Sequence, residues 1–253
     1  MRRLATLFLA TSALAAFALP AAAADLPARM PTKAPIVAPL YNWTGFYVGV
    51  NLGGSWGHQD NALVDGATGA VILENSDHID GVIGGGQIGY NWQVNQWVFG
   101  LEADFQGSGQ KGDGTFFVPG TAPLAVLFVA PGGVAVSYED KLNWFGTVRG
   151  RLGWAFDRWM PYITGGWAFG HGEISGTTTA GAVTSAFSGS ENYSGWTLGG
   201  GVEWAFYNNW SAKLEYLHID FGDGPTIPGT GANFVSGRLT DNIVRAGLNY
   251  RFY

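Results

Sequence analysis

Nine charged side chains sit at alternating positions inside otherwise apolar blocks: Glu102 and Asp104, Arg149 and Arg151, Glu203, Lys213 and Glu215, Arg245 and Arg251. A spacing of two places each set on one face of an extended strand. Five are cationic and four anionic, so on facing walls they would meet as ion pairs between guanidinium or ammonium groups and carboxylates. A lining of that kind supports either a gated conduit or proton path, or a filled, salt-bridged interior. The filled interior is favoured, because a ring of eight strands is only just wide enough for side chains to fill.

The other groups able to do chemistry are few. His58, His78, His171 and His218 are all the histidines of the chain, and no two have the sequence spacing of a metal-ligand pair. All fall in or beside the longer connections between strand blocks, where a surface ligand such as haem or a divalent cation would be captured. There is no cysteine and no His-Glu-x-x-His. His218 and Asp220 are close acid–base neighbours, but no serine partner can be assigned to them. The expectation is a non-catalytic protein without a resident cofactor or metal.

These residues are carried on eight blocks of period-2 alternation, each with one apolar, aromatic-rich face and one face of glycine, polar or charged residues. The blocks are 44–57, 81–93, 96–107, 141–156, 159–173, 194–206, 210–221 and 240–252. In the first, Phe46, Val48, Val50, Leu52 and Trp56 alternate with Tyr47, Gly49, Asn51, Gly53 and Ser55. In the fourth, Leu142, Trp144, Val148, Leu152 and Trp154 oppose Asn143, Thr147, Arg149 and Arg151. The fifth has the weakest contrast: Ile163, Trp167 and Phe169 share a parity that Tyr162 opposes, and a bulge would explain it. Each block is long enough for a tilted membrane crossing of about 9 to 11 residues.

Short connections near Val94, Asp157 and Asn208 alternate with long ones at 58–80, 108–140, 174–193 and 222–239. That asymmetry predicts an all-β, eight-stranded antiparallel transmembrane barrel of the outer-membrane type, with short periplasmic turns, long extracellular loops and both termini in the periplasm. Closure removes the edges that lipid cannot hydrogen-bond. The first long connection carries Asp60, Asp65, Glu74, Asp77 and Asp80 with no Lys or Arg. It reads as a solvated acidic loop, with collection of divalent cations beside lipopolysaccharide as the alternative. The second holds apolar runs at 116–118 and 124–129, read as an extension of the third and fourth strands.

Composition and the N-terminus agree with export to a membrane. Arg2 and Arg3, an apolar stretch over 4–19 and Ala22-Ala23-Ala24 have the order of a secretory signal, so residues 1–24 are expected to be removed. Residues 25–43, with Pro27, Pro31, Pro35 and Pro39, read as an extended periplasmic leader, and 44–253 as the barrel. With 13 Lys+Arg less the two signal arginines, 11 remain against 19 Asp+Glu, a balance of −8 that argues against nucleic-acid binding. Forty glycines, 15% aromatic residues and only 13% charged residues suit thin strands and aromatic girdles better than a large soluble surface.

Four segments are familiar: Asn42-Trp43-Thr44-Gly45-Phe46-Tyr47-Val48-Gly49, Asn143-Trp144-Phe145-Gly146-Thr147-Val148-Arg149-Gly150-Arg151-Leu152-Gly153, Pro161-Tyr162-Ile163-Thr164-Gly165-Gly166, and the ending Gly247-Leu248-Asn249-Tyr250-Arg251-Phe252. Together they resemble the RopB-type outer-membrane protein family of alphaproteobacteria, over essentially all of the expected mature chain. The resemblance implies an eight-stranded barrel of the OmpA/OmpX shape, abundant in the envelope and exposed as a surface antigen, with haem binding attributed to some members. It implies outer-membrane lipid, lipopolysaccharide and the barrel-assembly machinery as partners. Tyr250, Phe252 and Tyr253 would form the assembly signal, although the family usually ends on phenylalanine and here Tyr253 follows Phe252. The expected work is envelope structure and presentation of loops at the surface; the alternatives are a narrow channel and a surface receptor for haem or another small ligand.

Overall fold

A computed structural model describes residues 41–65, 68–118, 133–224, 226–228 and 232–252. The expected signal, the leader up to residue 40, the apolar run 124–129 and Tyr253 lie outside the described residues.

The strands are β1 (Gly45–Asp65), β2 (Val71–Val94), β3 (Trp97–Val118), β4 (Val134–Trp154), β5 (Trp159–Ala180), β6 (Val183–Tyr207), β7 (Trp210–Asp223), β8 (Thr226–Pro228) and β9 (Ala232–Phe252). Eight of them form a closed antiparallel ring, and the three-residue β8 is an addition alongside β9. The ring shuts where β9 pairs with β1, in the register Phe46↔Phe252, Val48↔Tyr250 and Val50↔Leu248. The connections at the end holding β1's start and β9's finish are tight. Asn95 (φ 56°) and Asp157 (φ 53°) turn the chain there in the left-handed region, which short polar side chains tolerate best. We call this the near end, and the opposite one the far end.

The far end differs from the sequence expectation. What reads as long loops is mostly strand: β1 runs on to Asp65, β3 to Val118, and Ala180↔Val183 closes β5 and β6 around Gly181, whose φ is 59°. The paired segments Gly112–Val118 and Val134–Asp140 carry out the expected extension of the third and fourth strands. Among the described residues, however, ring closure does not persist to the far ends of the strands. Pairing of β2 with β3 ends at Asp80↔Lys111, and pairing of β6 with β7 ends at Trp196↔Asp220. Beyond those points β8-β9-β1-β2 and β3-β4-β5-β6 continue as two four-stranded lobes.

The parity of β5 is as the alternation reads it; the bulge lies elsewhere, and one parity needs correction. β5 pairs with β6 without interruption, so the suspected bulge is not in β5. The irregularity lies in β4, where Leu142↔Gly172 is followed by Trp144↔His171 and Asn143 is the extra residue. An extra residue reverses the faces, so Leu142, read as outward with Trp144, is buried inside the ring.

The interior is layered. At the near end Trp43, Val98, Ala155, Met160, Tyr162 and Ala205 form an apolar plug against which Tyr41 packs. The charged side chains come next. Past them Ile79, Ile83, Leu142, Phe145, Leu217, Ile219 and Ile243 belong to a second apolar layer.

Candidate functional site

All nine charged side chains of the alternating blocks point inward and are buried. Arg149 is the hub. It contacts Glu102 through Nη2, donates from the same nitrogen to Asp104 Oδ2 at 2.9 Å, from Nη1 to Glu215 Oε1 at 3.0 Å and from Nε to Thr147 Oγ1 at 2.9 Å. Arg245 donates to Glu215 Oε2 and Asp104 Oδ2 at 2.7 and 2.8 Å. Lys213 Nζ spans both oxygens of Glu102, at 2.9 and 3.0 Å. Arg151 donates to Glu203 Oε2 at 2.7 Å. The register explains the convergence: Glu102↔Arg149, Glu203↔Lys213 and Glu215↔Arg245 are direct cross-strand neighbours, and opposite charges so placed attract.

With five cations to four anions, one must be accommodated differently. Arg251 reaches Glu203 only at 3.9 Å; its guanidinium instead lies 4.7 Å from the Trp43 ring centroid and donates to the Asn42 carbonyl at 3.1 Å. A desolvated guanidinium over an aromatic face is stabilised by the ring quadrupole. Trp43, which reads as the last leader residue, is thus part of the site: its indole N–H donates to the Asp157 carbonyl at 2.9 Å, anchoring it in the near-end turns. Two tyrosines also join. Tyr47 donates its hydroxyl to Glu102 at 2.7 Å and accepts from Arg151 at 2.8 Å, while Tyr162 donates to Glu215 at 3.0 Å and lies beneath Arg151. Their inward parity was visible in the alternation, but nothing in a single strand shows which carboxylate they meet.

The outer wall is apolar. Between Phe46, Trp97, Trp159 and Trp210 at the near end and Trp56, Phe105, Trp167 and Trp196 farther along, it shows side chains such as Leu52, Leu101, Ile163 and Leu214, with Leu101 68% exposed. Phe46 to Trp56 is ten residues of β1, roughly 25 Å along a tilted barrel, which matches the apolar band of a bilayer-spanning barrel. Tyr250 and Phe252 lie in the near girdle, their rings 5.2 Å apart and next to Phe46 and Val48 of β1.

The four histidines all lie on the outer wall at the level of the far girdle, and only two of them meet. His58 and His78 are cross-strand neighbours with ring centroids 4.4 Å apart. His171 stacks on Trp144 and bonds Asn192, and His218 packs on Trp196 and bonds Asn242. Asp220 is bonded by Arg238, so His218 and Asp220 are each engaged by another residue. The pentapeptide Gly53–Gly57 has the Gly-x-Ser-x-Gly form of a nucleophile elbow, yet it runs through the middle of β1, and Ser55 is buried beside the Gly81 carbonyl. An elbow needs a sharp strand-to-helix turn. No group of three or more His, Cys, Asp or Glu able to hold a metal exists among the described residues.

At the far end Asp77 collects Asn61 at 3.2 Å, Asn75 at 2.7 Å and the Tyr138 hydroxyl, joining β1, β2 and β4 across the unpaired stretch between β2 and β3. Asp140, four residues beyond Trp144 on β4, has its pKa raised from 3.8 to about 7 by burial and, secondarily, by the negative charge of Asp77.

A closed ring that turns apolar side chains outward between two aromatic girdles and seals its charges inside defines an integral outer-membrane β-barrel protein. The chain belongs to the outer membrane protein beta-barrel domain family, whose model matches residues 9–252. It is 36% identical to the 31 kDa outer-membrane immunogenic protein of Brucella melitensis over 94% of this chain and 96% of that one. It is 31% identical to the 22 kDa outer membrane protein of Rhizobium leguminosarum over 85% and 81%. Among solved structures, the outer membrane protein OprG of Pseudomonas aeruginosa aligns over 84% of this chain and 99% of its own, at 11% identity and a TM-score of 0.42.

Proposed function

We propose that this protein is a sealed, non-catalytic barrel that contributes to the structure of the outer membrane and presents its far-end lobes at the cell surface. One observation carries the reading: the interior is closed in succession by the Trp43 plug, the ion-paired charges and the layer around Ile83, Phe145 and Ile243. A conduit for ions would need water along that axis, and an eight-stranded ring filled this way leaves little room for it. β1 continues nine residues beyond Trp56, about 30 Å of strand, so the far-end strands stand well clear of the apolar band. In this reading the tight near-end turns and both termini are periplasmic, the far end is extracellular, and outer-membrane lipid and lipopolysaccharide surround the wall. The barrel-assembly machinery would read Tyr250, Phe252 and the residue after them. The work needs no cofactor and no nucleic acid. The similarity to proteins named immunogenic favours the same exposure here.

The chain contains no cysteine, so single cysteines report position cleanly. With a membrane-impermeant maleimide, Ser185→Cys on the far hairpin is expected to label in intact cells, and Asn208→Cys in a near-end turn only after lysis. The reverse pattern would overturn the orientation.

A further inference from the structure

His58 and His78 are twenty residues apart in the chain and lie on strands joined by a long hairpin, so nothing in their sequence spacing marks them as a pair. The register Trp56↔Asp80, His58↔His78, Asp60↔Ser76 makes them direct neighbours. Both belong to the outward set of their strands, because Gln59 and Asp77 beside them are buried inside. Their rings are tilted by 57°, with centroids 4.4 Å apart. Among the described residues neither ring has a side-chain hydrogen bond, in contrast to His171, held by Asn192, and His218, held by Asn242.

The geometry points to a divalent transition-metal site formed by the His58 and His78 imidazoles on the outer wall, just beyond the far aromatic girdle. Imidazole nitrogen suits zinc, copper and nickel, whereas magnesium and calcium favour oxygen ligands. Two rings held side by side by a strand pair act as a chelate: once one nitrogen binds, the second is already at high effective concentration. Asp60, two residues along β1 on the same outward face, adds negative potential that draws cations toward the pair, while Asp80 on β2 faces Lys111 across the strand boundary. Since no third His, Cys, Asp or Glu completes a cluster among the described residues, water would fill the remaining positions and binding would be readily reversible. The location gives the site a mechanical consequence. His78 lies two residues past Asp80↔Lys111, where β2 loses its partner β3. A bound cation would tie β2 to β1 where the hairpin leaves the closed ring.

The test is a Zn2+ titration of the untagged protein, purified from membranes in detergent, against a competing chromophoric chelator. One Zn2+ per chain is expected. His58→Ala and His78→Ala are each expected to weaken it on the order of 100-fold, the loss of the chelate. His171→Ala should leave the affinity unchanged, as should an excess of Mg2+. Heat-modifiable migration, compared for every variant, reports the folded barrel. Unchanged affinity in either variant of the pair, an equal loss in His171→Ala, or displacement of Zn2+ by Mg2+ would overturn the assignment.

Discussion

The half of the barrel near the termini and the half beyond the far girdle are built from the same strands but held by different means. In the near half the side chains inside the ring hold it: Arg149, Arg245 and Lys213 draw four strands, β3, β4, β7 and β9, onto a shared set of carboxylates. In the far half the ring divides into two lobes held chiefly by hairpin pairing, and Asp77 with Tyr138 bridges the division between β2 and β3. The contrast follows from solvent. Inside a bilayer an open edge has no water to bond, so closure is enforced there; beyond the band water satisfies the edges, and the lobes are free to part. Local opening should therefore be concentrated in the far half.

Substitutions can sharpen or break that contrast. The largest effect is expected from Arg149→Ala, which strips Glu102, Asp104 and Glu215 of a shared partner and should cost about 3 to 5 kcal/mol, as for other broken buried pairs. Urea unfolding in detergent, followed by tryptophan fluorescence, would show it; a loss below 1 kcal/mol would mean the network does not hold the near half. Next comes the pH dependence at Asp140. Its folded pKa is raised from 3.8 to about 7, so the folded lobe retains a proton that the unfolded segment releases. That stabilisation is fully present below about pH 4 and is lost as pH rises through 7, up to about 4 kcal/mol in all. Hydrogen exchange in β3 and β4 beyond the girdle, corrected for intrinsic rates, should be faster at pH 8 than at pH 5, and Asp140→Asn should remove the difference. Tyr138→Phe deletes the hydroxyl bonded to Asp77 and should cost about 1 kcal/mol, seen as faster exchange in Val71–Ile79 and Gly112–Val118 with the near half unaffected. Smallest is His171→Ala on the outer wall, expected within about 0.5 kcal/mol.

The same contrast explains what was legible in the sequence. In the band, alternation between lipid and interior is strong, and Phe46 against Tyr47, or Val148 against Arg149, gave each strand and its inward charges directly. Beyond the band both faces meet polar surroundings, so stretches such as Thr177, Thr178, Thr179, Ser185 and Ser188 form strands without any period to betray them. Leu142 reads as outward because the bulge at Asn143 carries no mark of its own in the sequence. Trp43 reads as part of the leader because a lone aromatic ahead of a strand has no parity. The His58–His78 contact depends on hairpin register, which a long hairpin of weak contrast leaves open.

The central claim is that the interior is sealed. It is tested most directly by single-channel recording of the purified protein in planar bilayers. The account predicts insertion without discrete current steps; a reproducible unitary conductance from the wild-type protein would contradict it.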